Sequence, residues 1–332
     1  MDLLRRILGL QPTGEQPVTP QETPETPSDP VVTSPGGAPT APLDPQLEDL
    51  MASEGRTRQL PPLETVLTPS EGARLNYGQF SDVGQIRDNN QDSMLSMTLS
   101  MTGNDQDPNF GLFIVADGMG GHEDGEKASA MTTHVIAKYV TKDIFVPMLN
   151  GETGGDADRP TIIEVLRNAV QKANDVVAER VPDGGTTATA AAVMGNLAYI
   201  AHVGDSRAYI ITADGIEQAT RDHSLVQRLI ELDQLTPEDA IDHPQRNVLY
   251  RAIGQSDNLD VDAITRHLPP ASYLLICSDG LWNLVTKEEL KQIVITHQDN
   301  TQSACEALVN LANERGGTDN ITVVIIRVPG KK

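Results

Sequence analysis

Along the chain, apolar and polar positions change rhythm near residue 70. From there on, period-two or continuous apolar runs occupy 111–116, 187–194, 197–203, 207–212, 273–277 and 321–328, each short enough for a buried strand. Four longer blocks, 125–149, 161–181, 286–296 and 301–314, repeat their apolar residues at helical spacing. Gly195-Asn196 separates two strand runs and predicts a tight hairpin with positive φ at both positions. The stretch 221–251 reads as a mostly helical insertion. Strands grouped in hairpins, with helices in separate pairs, predict an α+β fold of antiparallel sheet packed by helices, not alternating βαβ units.

Before residue 70 the rhythm is absent. Thirteen of the 22 prolines fall there, and residues 12–46 are rich in Pro, Thr, Glu and Gly with almost no bulky apolar side chain. Such a segment cannot bury enough surface to offset its ordering entropy and is expected to be a disordered linker. With about 35 residues its r.m.s. reach is roughly 30–35 Å if flexible. Two islands flank it. Residues 1–11 place Leu3, Leu4, Ile7, Leu8 and Leu10 on one helical face, in a segment too short to be a stable helix alone. Residues 47–70 form either a docking segment or a strap on the domain that follows, 71–330. The exposed Thr19, Thr23 and Thr26, beside acids and prolines, are candidate phosphorylation sites for a phosphothreonine-binding partner.

The chain of 332 residues carries a formal charge of -22, which disfavours nucleic acid and anionic membrane surfaces as partners. No apolar run approaches the ~20 residues a membrane span needs, and MDLLRRILGLQ is a poor secretion signal. A cytoplasmic location is expected. Cys277 and Cys305 lie in apolar surroundings with no metal-ligand spacing and are expected to be inert buried thiols.

Acids recur where strands meet turns: Asp117 in FIVADGMGG, Asp279 in LLICSDGLW, Asp319 in GGTDNITVV and Asp92 in NNQDSMLSM. A single Asp-Gly is usually only a turn. If these ends converge, the carboxylates repel. Two unit charges 4 Å apart do so by about 4 kcal/mol at an effective dielectric of 20. With no matching Lys or Arg cluster, a hard divalent ion such as Mg²⁺ or Mn²⁺ is the economical counter-charge.

Eight motifs in order, SDVGQIRDNNQDS, VADGMGGHEDGEKAS, GGTTATAAAV, HVGDSRAYII, RDHS, LYRAIG, LLICSDGLW and GGTDNITVVII, span about Arg74 to Pro329. Together they resemble the metal-dependent Ser/Thr protein phosphatases of type 2C in their bacterial form. The resemblance implies a four-layer αββα sandwich, two antiparallel sheets flanked by helix pairs, with 221–251 as a flap beside the cleft. It implies two divalent ions. Asp117 would bridge them, the Gly118 carbonyl would bind one, and Asp279 and Asp319 would complete the other. Asp92 would act through metal-bound water. Gln91 stands where the family often has Glu. Arg87 would grip the substrate phosphate with its planar fork, and a water ionised between the cations would attack phosphorus. Phosphorylated proteins, the products of Ser/Thr kinases, would be the substrates.

Some positions keep two readings. His122 is a candidate general acid or a cap for the helix that follows, Met119 occupying the place where some relatives carry a histidine. Asp183 is a candidate ligand of a third ion or a plain loop acid. Asp205, with Ser206 and Arg207, is read as turn chemistry. In the insertion, His223, His243, Arg246 and Arg251 line either the cleft or an ordinary charged surface, and Trp282 is expected to pack beneath the metal loop. A catalytically silent scaffold binding a partner through the N-terminal tail is the alternative from a different class.

Overall fold

The computed structural model describes residues 75–100, 109–120, 123–150, 159–298 and 300–330. The segments 1–11, 12–46 and 47–70, the tail threonines and His122 lie outside the described residues.

Eleven strands form two antiparallel sheets among the described residues. One sheet has the order β1 (Asn76–Asp82), β11 (Ile321–Arg327), β10 (Tyr273–Cys277), β7 (Arg207–Ile211), β8 (Ile216–Gln218). The other has the order β2 (Asp92–Leu99), β3 (Phe110–Met119), β5 (Ala188–Met194), β6 (Leu197–Val203), β9 (Asp262–His267), with β4 (Gly185–Thr186) on the end of β3. The sheets pack face to face. Phe113, Val115, Ile200, Leu274, Ile276 and Val324 alternate inward from both to form the central core.

The opposite faces bury two further cores, and these explain the helices. Helices α1 (Asp124–Val140) and α3 (Ile162–Arg180) cover the second sheet, with Ile136, Val140, Leu166, Val170 and Val177 buried against Leu112 and Ile114. Between them α1 widens into a π turn at Thr141–Phe145 and continues into the short α2 (Val146–Leu149). The turn aims Phe145 inward, edge-on to Phe110 with centroids 4.7 Å apart, a geometry worth about 1 kcal/mol beyond area burial. On the first sheet, after the single turn α6 (Asp279–Trp282), α7 (Lys287–Thr296) and α8 (Thr301–Glu314) bury Leu290, Val294, Cys305, Leu308 and Ala312 over Leu275, Val323 and Ile325. Thr161 with Glu164, and Thr286 with Glu289, form reciprocal capping boxes that start α3 and α7, each worth about 1 kcal/mol. Three cores between four layers make the αββα sandwich.

Two readings of the sequence are corrected. In the β5–β6 hairpin only Gly195 takes positive φ (57°), because one left-handed residue is enough to turn Met194 back onto its partner Leu197. Less than half of the insertion 221–251 is helical. It holds only α4 (Leu225–Glu231) and α5 (Pro237–Ile241), neither of which buries a residue, so its helical spacing has no core to pack against. Cys277 and Cys305 are unpaired and buried, as expected, and burial pushes the Cys305 thiol up to about 12.

Candidate active site

Register brings the acids together. Asp92 opens β2 directly opposite Asp117 near the end of β3. In the facing sheet Asp279 follows β10 and Asp319 precedes β11, two strands whose adjoining ends pair Cys277 with Val323. Both sheets therefore deliver carboxylates to the same end of the sandwich. There Arg87, Gln91, Asp117, Gly118, Asp279 and Asp319 line one pocket of about 210 Å³.

The loop carrying Arg87 is fixed by Asn320. Its side-chain amide donates to the carbonyls of Val83 (2.8 Å) and Asn89 (3.0 Å), and its carbonyl oxygen accepts from the Gln91 amide at 2.8 Å. The amide of Gln85 donates to Gly317 across the same crossing at 2.7 Å. Gly84 sits there at φ +83°, where a Cβ would stand 2.3 Å from the Asp319 carbonyl, so the close approach requires glycine. Gln91 is buried. Its carbonyl accepts from Gly118 at 3.1 Å and from the Ser129 hydroxyl at 2.6 Å, which ties the pocket wall to α1.

The carboxylates are crowded and half-buried. Burial first, then Asp92, Asp279 and further acids, hold the Asp117 carboxyl well above the usual range. Burial raises Asp92 to about 7, against the lowering bonds from Thr322 and Ser278. It raises Asp279 to about 6, with Asp319 next in effect. Asp92 Oδ2 accepts from Ser278 at 2.7 Å, but its buried Oδ1 has no partner. Among the described residues no group of three or more His, Cys, Asp or Glu is drawn close enough to cage an ion unaided. Like charges without a counter-ion stand apart for the same reason that a cation would draw them in. Converging carboxyls, an orphaned acid oxygen and an all-oxygen donor set fit one or more hard divalent cations.

The remaining candidates divide. Asp183 is exposed in the turn before β4, outside the pocket's lining, and its backbone borders Gly120. Asp205, read from sequence as turn chemistry, is buried and lines the pocket itself, its carboxyl pushed up by burial and by Asp279. The signal was present: HVGDSR also places an acid just past an apolar strand. Trp282 packs as expected behind the site. The Arg207 guanidinium lies 3.5 Å above its ring, and the indole N–H donates to the Asp205 carbonyl at 3.0 Å. Of the insertion residues, His223 and Arg251 join Asp262 on β9, with Arg251 Nη1 3.0 Å from Asp262 Oδ1. The flap reaches the pocket instead through Asn247 and Leu249, which the sequence did not single out.

A two-sheet sandwich with an acid-lined mouth and one arginine at its rim defines a class, the metal-dependent protein phosphatases. The protein phosphatase 2C family profile matches residues 87–314. The chain is 38% identical over 249 residues to protein phosphatase PhpP of Streptococcus pneumoniae, covering 74% of this chain and 95% of that protein. It is 35% identical over 247 residues to the serine/threonine phosphatase stp of Listeria monocytogenes, covering 74% and 93%. Among solved structures, the serine/threonine phosphatase PstP/Ppp of Mycobacterium tuberculosis superposes with a TM-score of 0.63 at 32% identity, covering 77% of this chain and 99% of that one. The catalytic domain of PstP in complex with two manganese ions gives 0.61 at 30% identity, covering 77% and 98%. The chain belongs to the protein phosphatase 2C family and is a protein-serine/threonine phosphatase. No described helix is long and apolar enough to cross a membrane.

Proposed function

We propose that the pocket hydrolyses phosphoserine and phosphothreonine in proteins and so opposes Ser/Thr kinases of the same cell. The convergence of Asp117, Asp279, Asp319 and Arg87 on one pocket carries this reading. Asp117, the Gly118 carbonyl, Asp279 and Asp319 would hold two Mg²⁺ or Mn²⁺ ions, with Asp92 and Gln91 orienting water around them. When bound, such a pair supplies positive charge and a water acidic enough to attack phosphorus near neutral pH.

The chain's own residues do the rest. Arg87 presents two N–H donors to the non-bridging phosphate oxygens and stabilises the charge that grows on them. Its present partner is Asp319, so substrate takes over a donor already aimed at the pocket. Asn247 and Leu249 narrow the mouth from the flap and orient the phosphorylated side chain. In the net reaction a water oxygen bonds to phosphorus, the bond from phosphorus to the seryl or threonyl oxygen breaks, and that oxygen leaves with a proton. His122 and water are the candidate proton donors. No phosphoenzyme is required.

Turnover of a phosphothreonine peptide with Mn²⁺, before and after EDTA, tests the reading. Turnover that vanishes with EDTA and in Asp117→Asn supports it, and turnover that survives either removes it.

A further inference from the structure

Beside Asp117 lies a run of buried polar side chains with no part in the scheme above. Thr186, Thr187, Thr189, His202 and Ser206 are each at most 1% exposed. Groups so deep are retained only if paired, and these are paired to one another in series. The backbone ladder between β3 and β5 runs from Phe110 to Val115 and stops there. Two residues further on, the amide of Asp117 donates to Thr187 Oγ1 at 2.9 Å. The Thr187 amide returns a bond to the Asp117 carbonyl at 2.9 Å, and the Thr186 hydroxyl adds another at 2.8 Å. Threonine hydroxyls and one backbone bond thus bridge the break at Asp117, between the β3–β5 ladder and the β3–β4 pairing that resumes at Gly118.

The series continues inward. Thr187 Oγ1 is 2.7 Å from Ser206 Oγ. The Thr189 hydroxyl lies 3.1 Å from the Ser206 carbonyl and 2.9 Å from His202 Nδ1. On the far edge of the ring, His202 Nε2 is 3.0 Å from the carbonyl of Arg221, which accepts only, so Nε2 carries the proton, and the single Thr189 hydroxyl proton is shared between His202 Nδ1 and the Ser206 carbonyl. Arg221 is the first residue of the flap. The next turn is held to the same strand end: His223 donates its amide to Gly204 at 2.7 Å, and the Gly204 amide donates to His223 Nδ1 at 3.1 Å. Tyr250, at the flap's other root, donates to the His223 carbonyl at 2.9 Å.

We propose that Thr187 is a positioning residue for Asp117, and that Ser206, Thr189 and His202 behind it anchor Asp117 to the root of the flap. The inference rests on the reading of Asp117 as a cation ligand. It adds that the ligand's placement is set by hydroxyls buried beside it and shares one hydrogen-bonded series with the segment that narrows the substrate mouth. Partners of this kind typically alter metal affinity ten- to a hundredfold when removed.

Mn²⁺ calorimetry on the full chain tests it, with wild type, Thr187→Val, Thr187→Ser, His202→Phe and the Val/Phe double variant. Thr187→Val keeps the shape and removes the hydroxyl, and is expected to weaken Mn²⁺ binding about tenfold. Thr187→Ser restores the hydroxyl and is expected to bind within about twofold of wild type. His202→Phe is expected to weaken binding, and the double variant to be no weaker than Thr187→Val alone, because the series is already cut. Wild-type affinity in Thr187→Val, equal losses in Val and Ser, or losses that multiply in the double variant would each overturn the proposal. If Thr187→Val does not fold, Ser206→Ala carries the same expectation and the same refutation. A wild type that binds no Mn²⁺ removes the underlying reading of Asp117, an outcome distinct from a wild type that binds and a Thr187→Val that binds equally well.

Discussion

Arg87 Nη2 lies 2.8 Å from Asp319 Oδ2, joining residues 232 positions apart in the chain. Both side chains are substantially exposed, so the pair contributes little to folding. Its use is orientation. Arg87→Ala is therefore expected to leave the melting temperature nearly unchanged while lowering kcat/KM about a hundredfold, the usual loss when one aimed donor is removed. Arg87→Lys keeps the charge without the planar fork and should recover only part of this. Steady-state kinetics with a phosphopeptide, beside thermal melts, separates the two effects.

The acid cluster sets a pH dependence with a definite sign. Asp92 is raised to about 7, Asp279 to about 6, and Asp117 lies well above its ordinary value. A carboxyl whose folded pKa exceeds its unfolded one adds stability that is fully present below about 4 and is lost as pH rises through 6 to 7. Cation-free protein should accordingly lose melting temperature across that window, and Mn²⁺ should raise it more at pH 7.5 than at pH 5. His202 works in the opposite direction. Burial, then His223, lowers it to about 4, so its contribution is present above about 6.5 and is lost as pH falls toward 4. Repeating the comparison of loaded and EDTA-treated protein in His202→Phe removes the histidine's part and isolates the carboxylates.

Arg207 forks onto Asp222, with Nε 3.1 Å from each carboxylate oxygen and Nη2 2.7 Å from Oδ2, while stacking on Trp282. Asp222 is 4% exposed. Removing one partner of so enclosed a pair strands the other charge and costs about 3–5 kcal/mol. Arg207→Ala should lower the unfolding free energy from urea titration by that amount, and adding Asp222→Ala should cost less than the sum of the two single losses.

Gly280 meets the strand that follows Asp319. A Cβ there would stand 2.1 Å from the Asn320 carbonyl, too close for any side chain. Gly280→Ala is expected to push apart the backbone segments carrying Asp279 and Asp319 and to weaken Mn²⁺ binding in calorimetry, although alanine favours the helical conformation at that position.

What the sequence could disclose followed from how each element is buried. Helix Thr301–Glu314 was legible to the residue because one full face is core. Strand β1 was missed. Its NYGQFSD shows little alternation, and Gly78, a strand breaker by propensity, is needed because a Cβ would strike the Thr301–Gln302 backbone at 2.3 Å. Strand β9 is an edge with no fully buried residue, which leaves no apolar rhythm. The π turn at 141–145 was read as plain helix because its apolar spacing is nearly that of α1. Of the site, Asp117, Asp279, Asp319 and Arg87 stood out by motif and share the pocket. Asn320 does not stand out and Asp205 reads as turn chemistry, since their meaning lies in what they touch: two loop carbonyls for one, a buried pocket wall for the other.

The most direct measurement is a Mn²⁺ titration followed by phosphothreonine-peptide turnover and calorimetry in parallel, on wild type and Asp117→Asn. The account predicts turnover that rises with cation occupancy in the wild type, and loss of both tight binding and turnover in the variant. Full turnover in EDTA, or an Asp117→Asn chain that binds and hydrolyses like wild type, would contradict it.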